Sequence, residues 1–150
     1  MKILLTGSNG FVGHNIHNSL AIKNEILTLN TRNSDYNINL FLDSIEFNTS
    51  FDLIIHAAGK AHFIPKSNEE INVFHNVNVQ GTKNLLQGLS FNLPKQFVLI
   101  SSVSVYGLSV GENIEETWPL LATDPYGKSK IKAEIVVKKW CDENLSLIHI

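Results

Sequence analysis

The sequence predicts an α/β fold in which a parallel sheet is covered by helices on both faces, giving three layers. Short apolar runs alternate with segments of helical periodicity along all 150 residues, the pattern of a doubly wound sheet. A glycine-rich turn joins the first apolar run to the first helical segment. A hydrophobic content of 43% is enough for one core, so we expect a single domain.

The first half of the chain supplies three predicted strands. Residues 3–5 form a short apolar run, and residues 11–21 follow with helical spacing. Residues 25–29 are predicted as the second strand and the polar residues 30–39 as a loop. Residues 51–58 then give a third strand that ends on small residues.

The second half continues the alternation. Residues 68–90 have helical periodicity, and residues 96–101 are predicted as the fourth strand. A capping residue before Pro125 marks the start of a helix that we expect to run to about Asn144. Residues 145–150 are predicted as another strand. Right-handed crossovers would bring the carboxyl ends of these strands to one edge, where the ligands of such sheets bind.

Composition excludes several classes of protein. The net charge is −2, from 12 basic and 14 acidic residues, which gives no electrostatic reason to expect nucleic acid. No apolar stretch approaches the roughly 20 residues that span a bilayer, and no Cys/His spacing predicts a metal site. The single cysteine, Cys141, fits a reducing cytoplasm, and its helix-like surroundings predict a buried side chain.

The turn after the first strand contains Gly7, Gly10 and Gly13. Gly7 would permit the tight turn, and Gly10 would let the backbone approach a diphosphate. Gly13 would let the first helix pack closely. Together with the free N–H groups at the helix start, these glycines predict a dinucleotide phosphate site.

Tyr126 and Lys130 are four residues apart, one turn along the same face of a predicted helix. A free phenol has a pKa of about 10 and is a poor base at neutral pH. A nearby ammonium stabilises the phenolate. The pair therefore predicts proton transfer to or from a hydroxyl or ketone.

Five segments, in the same order along the chain, resemble the extended short-chain dehydrogenase/reductase family, the UDP-galactose 4-epimerase-like group of NAD-dependent epimerases and dehydratases. They are the TGxxGxxG turn of residues 6–13, the HxAA element of residues 56–59, the NVxGTxNLL helix of residues 78–86, the SSxxVYG element of residues 101–107 and the YxxxK pair. The resemblance implies a Rossmann domain that binds NAD or NADP.

The resemblance also implies the catalytic group. Ser102, Tyr126 and Lys130 stand where the family has its catalytic residues, with Ser101 and Ser104 as competing candidates for the serine. Tyr106 is not followed by lysine four residues later, so we expect it in the pocket wall. His56 is expected as a hydrogen-bonded core residue, with catalysis as the alternative.

A wider set of residues is implied to bind the cofactor: Gly7, Gly10, Phe11, Val12, Gly13, Asn30, Arg32, Asn37, Ala57, Ala58, Gly59, Asn78, Tyr126 and Lys130. Asn78 lies among apolar neighbours on its helix and should therefore have fixed hydrogen-bond partners. Asn30 stands where an acidic residue would select NAD, and Arg32 can pair with a 2′-phosphate. These two residues favour NADP modestly, unless Arg32 is only a solvated loop residue. Asn37 matches the family's usual aspartate near the adenine.

The resemblance implies action on a nucleotide-activated sugar, as a 4-epimerase. The alternative is an NADPH-dependent 4-keto-sugar reductase of surface-polysaccharide biosynthesis. An Asp-Glu pair usual in dehydratases is replaced by Val103 and Ser104, which argues against dehydration. A dinucleotide sensor and an inactive fragment are also open, because the chain stops within a predicted strand and family members carry a further sugar-binding domain. A homodimer formed through two helices of each subunit is expected by analogy.

Overall fold

The computed structural model describes residues 1–61, 63–144 and the backbone of residues 148–149. Its sheet contains six parallel strands: β1 (Lys2–Thr6), β2 (Glu25–Asn30), β3 (Tyr36–Asn37), β4 (Leu53–His56), β5 (Gln96–Leu99) and β6 (Ile148–His149). Their order across the sheet is β3-β2-β1-β4-β5-β6. The order reverses direction at β1, so the crevice beside its carboxyl end is the expected ligand position.

The helices are α1 (Phe11–Leu20), α2 (Asn68–Phe74), α3 (Gly81–Gly88) and α4 (Pro125–Asn144). A π-helical segment, His75–Gln80, joins α2 to α3 without a break, and a 3-10 turn, Val103–Tyr106, follows β5. Ser67 caps α2, since its side chain accepts a hydrogen bond from the Glu70 amide.

The side chains of β1 alternate between the two faces of the sheet, and helices cover both faces. Leu4 lies in the larger core cluster, whose helical members include Leu85 and Val137. Ile3 and Leu5 lie in the smaller cluster, on the opposite face. The predicted doubly wound α/β fold is therefore confirmed.

Most predicted elements are confirmed, with four differences, one of which is that the fourth strand ends at Leu99 and not at residue 101. The polar stretch 30–39 was expected to be a loop, but it contains β3, which pairs with the end of β2. A strand of two residues, Tyr36 and Asn37, is too short to show an alternating or apolar pattern in the sequence. The third strand is shorter than residues 51–58, and the helix 68–90 contains the π-helical segment. Of the strand predicted at 145–150, residues 148–149 pair with β5 and the others lie outside the described residues.

Within the described residues, none of the helices has the length and apolar character needed to cross a membrane. Cys141 is 1% exposed. Burial, with a contribution from Asp142, raises the pKa of its thiol to about 11. The thiol is therefore protonated at neutral pH, and Cys141 is a buried side chain of the core, as predicted.

Candidate functional site

The turn between β1 and α1 is closed by glycines. Gly7 has a φ of +75°, and a Cβ there would lie 2.5 Å from the amide nitrogen of Ala58. A Cβ on Gly13 would lie 2.2 Å from the carbonyl oxygen of Gly7. The backbone of this turn thus packs directly against both the end of β4 and the first turn of α1, which side chains at positions 7 and 13 would prevent.

Gly10 has a different environment. A Cβ there would meet only the Gly7 carbonyl oxygen, at 3.4 Å, and the residue is exposed. Phe11 and Val12, the first residues of α1, are also exposed, Phe11 by 87%. Amide groups in the first turn of a helix have no intrahelical acceptor, and the helix dipole favours an anion there. The features of this turn fit a diphosphate.

A cavity of about 390 Å³ lies at the carboxyl ends of β1, β2 and β4. Seven of the residues predicted to bind a cofactor line it: Gly7, Gly10, Asn30, Arg32, Ala57, Ala58 and Gly59. Further lining residues were not assigned to the cofactor by the sequence argument: Asn9, Leu29, Thr31, Ile38, Asn39, Leu40, His56 and Val77. Those in or next to β2, β4 and the glycine turn lie at strand ends that the sequence identified, so their position in the sheet was the available signal. Residues 38–40 follow the unpredicted strand β3, and Val77 lies in the π-helical segment.

The polar end of this cavity is organised by Asn30. Its side-chain amide donates to the hydroxyl of Ser8 at 2.8 Å. The side chain of Asn9 donates to the backbone oxygen of Arg32 at 2.9 Å. These bonds connect the glycine turn to the segment at the end of β2. The guanidinium of Arg32 is exposed, and it takes part in none of the ion pairs formed among the described residues.

Asn37, which the family resemblance places near the adenine, lies in β3. Its side chain closes a local turn, donating to the Ser34 carbonyl oxygen at 3.0 Å and accepting from the Ser34 amide at 3.2 Å. Asn37 is not among the residues that line the cavity, whereas Asn39 is. The role expected for Asn37 stays a prediction.

His56 is buried at the end of β4, with 2% exposure. Its Nδ1 lies 2.6 Å from the Thr6 hydroxyl and its Nε2 lies 2.9 Å from the Thr82 hydroxyl. Burial, and less strongly the charge of Lys130, lowers the pKa of His56 to about 3. The ring is neutral at pH 7 and fully hydrogen-bonded, which supports its interpretation as a core residue.

Asn78, in the π-helical segment, is 2% exposed and has the fixed partners expected of it. Its Oδ1 accepts from the Lys60 amide at 2.7 Å, and its Nδ2 donates to the Lys60 carbonyl oxygen at 3.0 Å and to the Ser129 hydroxyl at 2.8 Å. Ser129 in turn donates to the Tyr126 carbonyl oxygen at 2.7 Å. Asn78 therefore supports both the loop after Gly59 and the helical turn that carries Tyr126.

Tyr126 and Lys130 lie in the first turns of α4, as predicted. Asp124 accepts from the Gly127 amide at 2.9 Å and so caps the helix. A Cβ on Gly127 would lie 2.8 Å from the Ser104 carbonyl oxygen. The start of α4 is thus packed directly on the turn that follows Ser102.

Lys130 is 5% exposed, and its ammonium donates to the carbonyl oxygen of Ile100 at 2.6 Å. The Ile100 amide donates to the carbonyl oxygen of His56 at 3.0 Å, so the ammonium lies where β5 ends beside the floor of the cavity. Burial lowers the pKa of Lys130 below its usual value, and the charge of Glu134 opposes that shift.

The three candidate serines differ in their contacts. Ser101 donates to a carboxylate oxygen of Glu134. Ser102 accepts from the Ser104 amide at 3.2 Å, and its hydroxyl lies 3.1 Å from that of Ser104. A second cavity, of about 610 Å³, has both Ser102 and Tyr106 in its wall. Tyr126 and Lys130 are not among the residues that line it, so the position expected for Tyr106 beside the catalytic pair stays a prediction.

The comparisons with known proteins agree with this geometry. Residues 3–149 match the model of the NAD dependent epimerase/dehydratase family. The chain is 33% identical over 147 residues to a UDP-glucose 4-epimerase of Vibrio cholerae, covering 89% of this chain and 45% of that protein. It is 30% identical over 155 residues to a GDP-6-deoxy-D-talose 4-dehydrogenase of Aggregatibacter actinomycetemcomitans, covering 99% of this chain and 52% of that protein.

Among solved structures, RMD from Pseudomonas aeruginosa complexed with NADPH is similar with a TM-score of 0.80 and 28% identity, covering 99% of this chain and 52% of that chain. The chain spans about half the length of the relatives it matches. Because the family model matches nearly the whole chain, residues 3–149, this chain belongs to the NAD dependent epimerase/dehydratase family.

Proposed function

We propose that this chain is the dinucleotide-binding and catalytic part of a nucleotide-sugar 4-epimerase. The observation that carries the proposal is the buried ammonium of Lys130, held at the end of β5 one helical turn after Tyr126. A buried, charged lysine is costly unless it has a role or a partner. Similarity to a UDP-glucose 4-epimerase over 89% of the chain supports the choice of reaction.

In this proposal Tyr126 moves the proton at the reacting oxygen. Tyr126 would accept a proton from a sugar hydroxyl and return one to a ketone, with the Lys130 ammonium one helical turn away on the same face of α4. Ser102 would orient the same oxygen through its hydroxyl. A bound nicotinamide supplies the hydride acceptor and donor at the sugar carbon.

The cavity at the glycine turn fits a dinucleotide. The exposed turn at Gly10 would hold the phosphates, and Ala57 and Ala58 would leave room for the cofactor against backbone. We keep a modest preference for NADP, since Asn30 places no carboxylate at the end of β2 and the exposed Arg32 can pair with a phosphate. Isothermal titration of the chain with both dinucleotides tests this preference: tighter binding of NAD than of NADP would contradict it.

The second candidate is an NADPH-dependent 4-keto-sugar nucleotide reductase. The similarity to a 4-dehydrogenase and to a structure complexed with NADPH favours it. The catalytic residues would be the same, with NADPH consumed stoichiometrically rather than regenerated. A dinucleotide-binding fragment without activity is the third candidate.

One assay separates these candidates. The chain, and the product of its full coding frame, are incubated with UDP-sugars and with 4-keto-sugar nucleotides, with and without NADPH. An epimerase forms product without added reductant, whereas a reductase oxidises one NADPH per product. Dinucleotide binding without turnover by either protein would leave only the fragment or a sensor.

We also propose a homodimer. A groove of about 490 Å³ lies between α3 and α4, lined in part by Leu86, Val136 and Trp140, and a second copy would cover it through the same two helices. Sedimentation equilibrium tests this, and a monomer at micromolar concentration would contradict it. The proposed place of the reaction is the cytoplasm, which the lone cysteine fits.

A further inference from the structure

Glu134 is the acidic residue in the catalytic region to which the proposed reaction gives no role. It follows Lys130 by four residues, as Lys130 follows Tyr126, so the three side chains lie on one face of α4. Its side chain is only partly exposed, and it accepts the hydroxyl proton of Ser101 in a hydrogen bond.

Two consecutive residues at the end of β5 are therefore held by two side chains of α4. Lys130 binds the carbonyl oxygen of Ile100 at 2.6 Å, and Glu134 binds the hydroxyl of Ser101. Ser102 follows directly and begins the 3-10 turn. The two contacts attach the serine segment to the helix that carries Tyr126, so the direction of Ser102 depends on both.

The charges around Lys130 are few. On its own helix it is flanked by Tyr126 and Glu134, and from the sheet it is approached by His56, which is neutral at pH 7. Among the described residues, Glu134 is the group whose charge opposes the effect of burial on the lysine. A charge in a partly buried position acts over several ångströms with little screening.

We infer that Glu134 is a positioning residue, which fixes the segment of Ser102 through Ser101 and sets a negative charge one helical turn behind Lys130. Its importance for turnover rests on the proposed function, but its two effects are measurable without turnover. A failure of the inference is thus distinguishable from a failure of the proposed reaction.

The first test follows the titration of the Lys130 ammonium by NMR in lysine-labelled chain, with the signal assigned by its absence in Lys130→Arg. Glu134→Gln keeps the shape of the side chain and an acceptor for Ser101. We expect the Lys130 titration to move down by about one pH unit in this variant. The matched control is Glu143→Gln, an exposed carboxylate on the same helix, which should cause no shift. An unmoved titration in Glu134→Gln, or an equal shift in the control, would overturn the inference.

The second test removes the other end of the hydrogen bond and does not depend on the stability of the first variant. Ser101→Ala should raise the amide exchange rates of Ser104 and Val105, whose N–H groups bond within the 3-10 turn, by about tenfold. The titration of Lys130 should stay within a few tenths of a pH unit. Unchanged exchange rates would show that Glu134 does not hold the serine segment.

Discussion

Two regions of the molecule are held together by different kinds of contact: the cavity at the glycine turn, and the region around Tyr126 and Lys130, which we call the catalytic corner. The cavity is made largely of backbone, because Gly7 and Gly13 allow contacts closer than a side chain permits. The catalytic corner is held by side-chain hydrogen bonds, which run from Lys60 through Asn78 and Ser129 to the turn of Tyr126. A structure closed by backbone contacts should tolerate almost no added atom, whereas one held by side-chain bonds should weaken in measurable steps.

The sharpest test of the corner removes the hydroxyl of Tyr126. We expect Tyr126→Phe to reduce turnover of the enzyme by about 10²–10⁴-fold, the usual contribution of a general acid or base. Dinucleotide affinity should change by less than about twofold, since the cavity does not depend on this hydroxyl. Steady-state kinetics and titration of the cofactor measure the two effects. An active Tyr126→Phe variant would contradict the acid/base role.

The cavity is tested by adding one methyl group at two neighbouring glycines. Gly13→Ala would force a Cβ to within 2.2 Å of the Gly7 carbonyl oxygen, so we expect the free energy of unfolding to fall by about 3 kcal/mol or more. Gly10→Ala, whose nearest contact would be 3.4 Å, should lower it by less than about 1 kcal/mol.

The same two glycine variants distinguish an effect on the stability of the fold from an effect on dinucleotide binding. Gly10→Ala should still weaken dinucleotide binding, because its methyl group would stand where the phosphates approach. Urea denaturation and cofactor titration measure the two quantities. Equal stability of the two variants would show that the turn adjusts, and unchanged affinity in Gly10→Ala would argue against the phosphate site.

Asn78 connects the two regions through its hydrogen bonds, and its replacement should lower the free energy of unfolding by an intermediate amount. Asn78→Ala leaves the Lys60 amide without its partner, so we expect the free energy of unfolding to fall by about 2 kcal/mol. Ser129→Ala, which removes one link of the same chain of bonds, should cost about 1 kcal/mol. Chemical denaturation of both variants and their double mutant gives the coupling. A strictly additive double mutant would show that the chain of bonds does not act as a unit.

The last test concerns pH. His56 has a pKa of about 3 when folded and 6.5 in the reference state, so the unfolded chain binds a proton that the folded chain does not. Stability from this residue is complete above about pH 6.5 and falls as the pH decreases toward 3, by up to about 1.4 kcal/mol per pH unit. His56→Gln should flatten this dependence while being less stable at pH 7. The same slope in wild type and variant, measured by denaturation from pH 7 to pH 4, would contradict it.

The two regions also differ in how far the sequence predicts them. Glycine spacing identified the turn and proline identified the start of α4, because both residues impose a backbone conformation directly. Asn39 lines the cavity but follows β3, a strand of two residues that is too short to show a periodicity in the sequence. Glu134 was missed although its spacing of four from Lys130 was visible, since its partner Ser101 is distant along the chain.

The π-helical segment His75–Gln80 has a consequence for the length of the chain. A π-helical turn holds one more residue than an α-helical turn, so removing one residue from this segment would restore an ordinary α-helix and keep the faces of α2 and α3 in register. Removing one residue from α3 instead would rotate the residues on one side of the deletion by about 100° relative to the other side, and buried Leu85 and Leu86 would leave the core. This helix should therefore tolerate a one-residue deletion within His75–Gln80 better than one within α3.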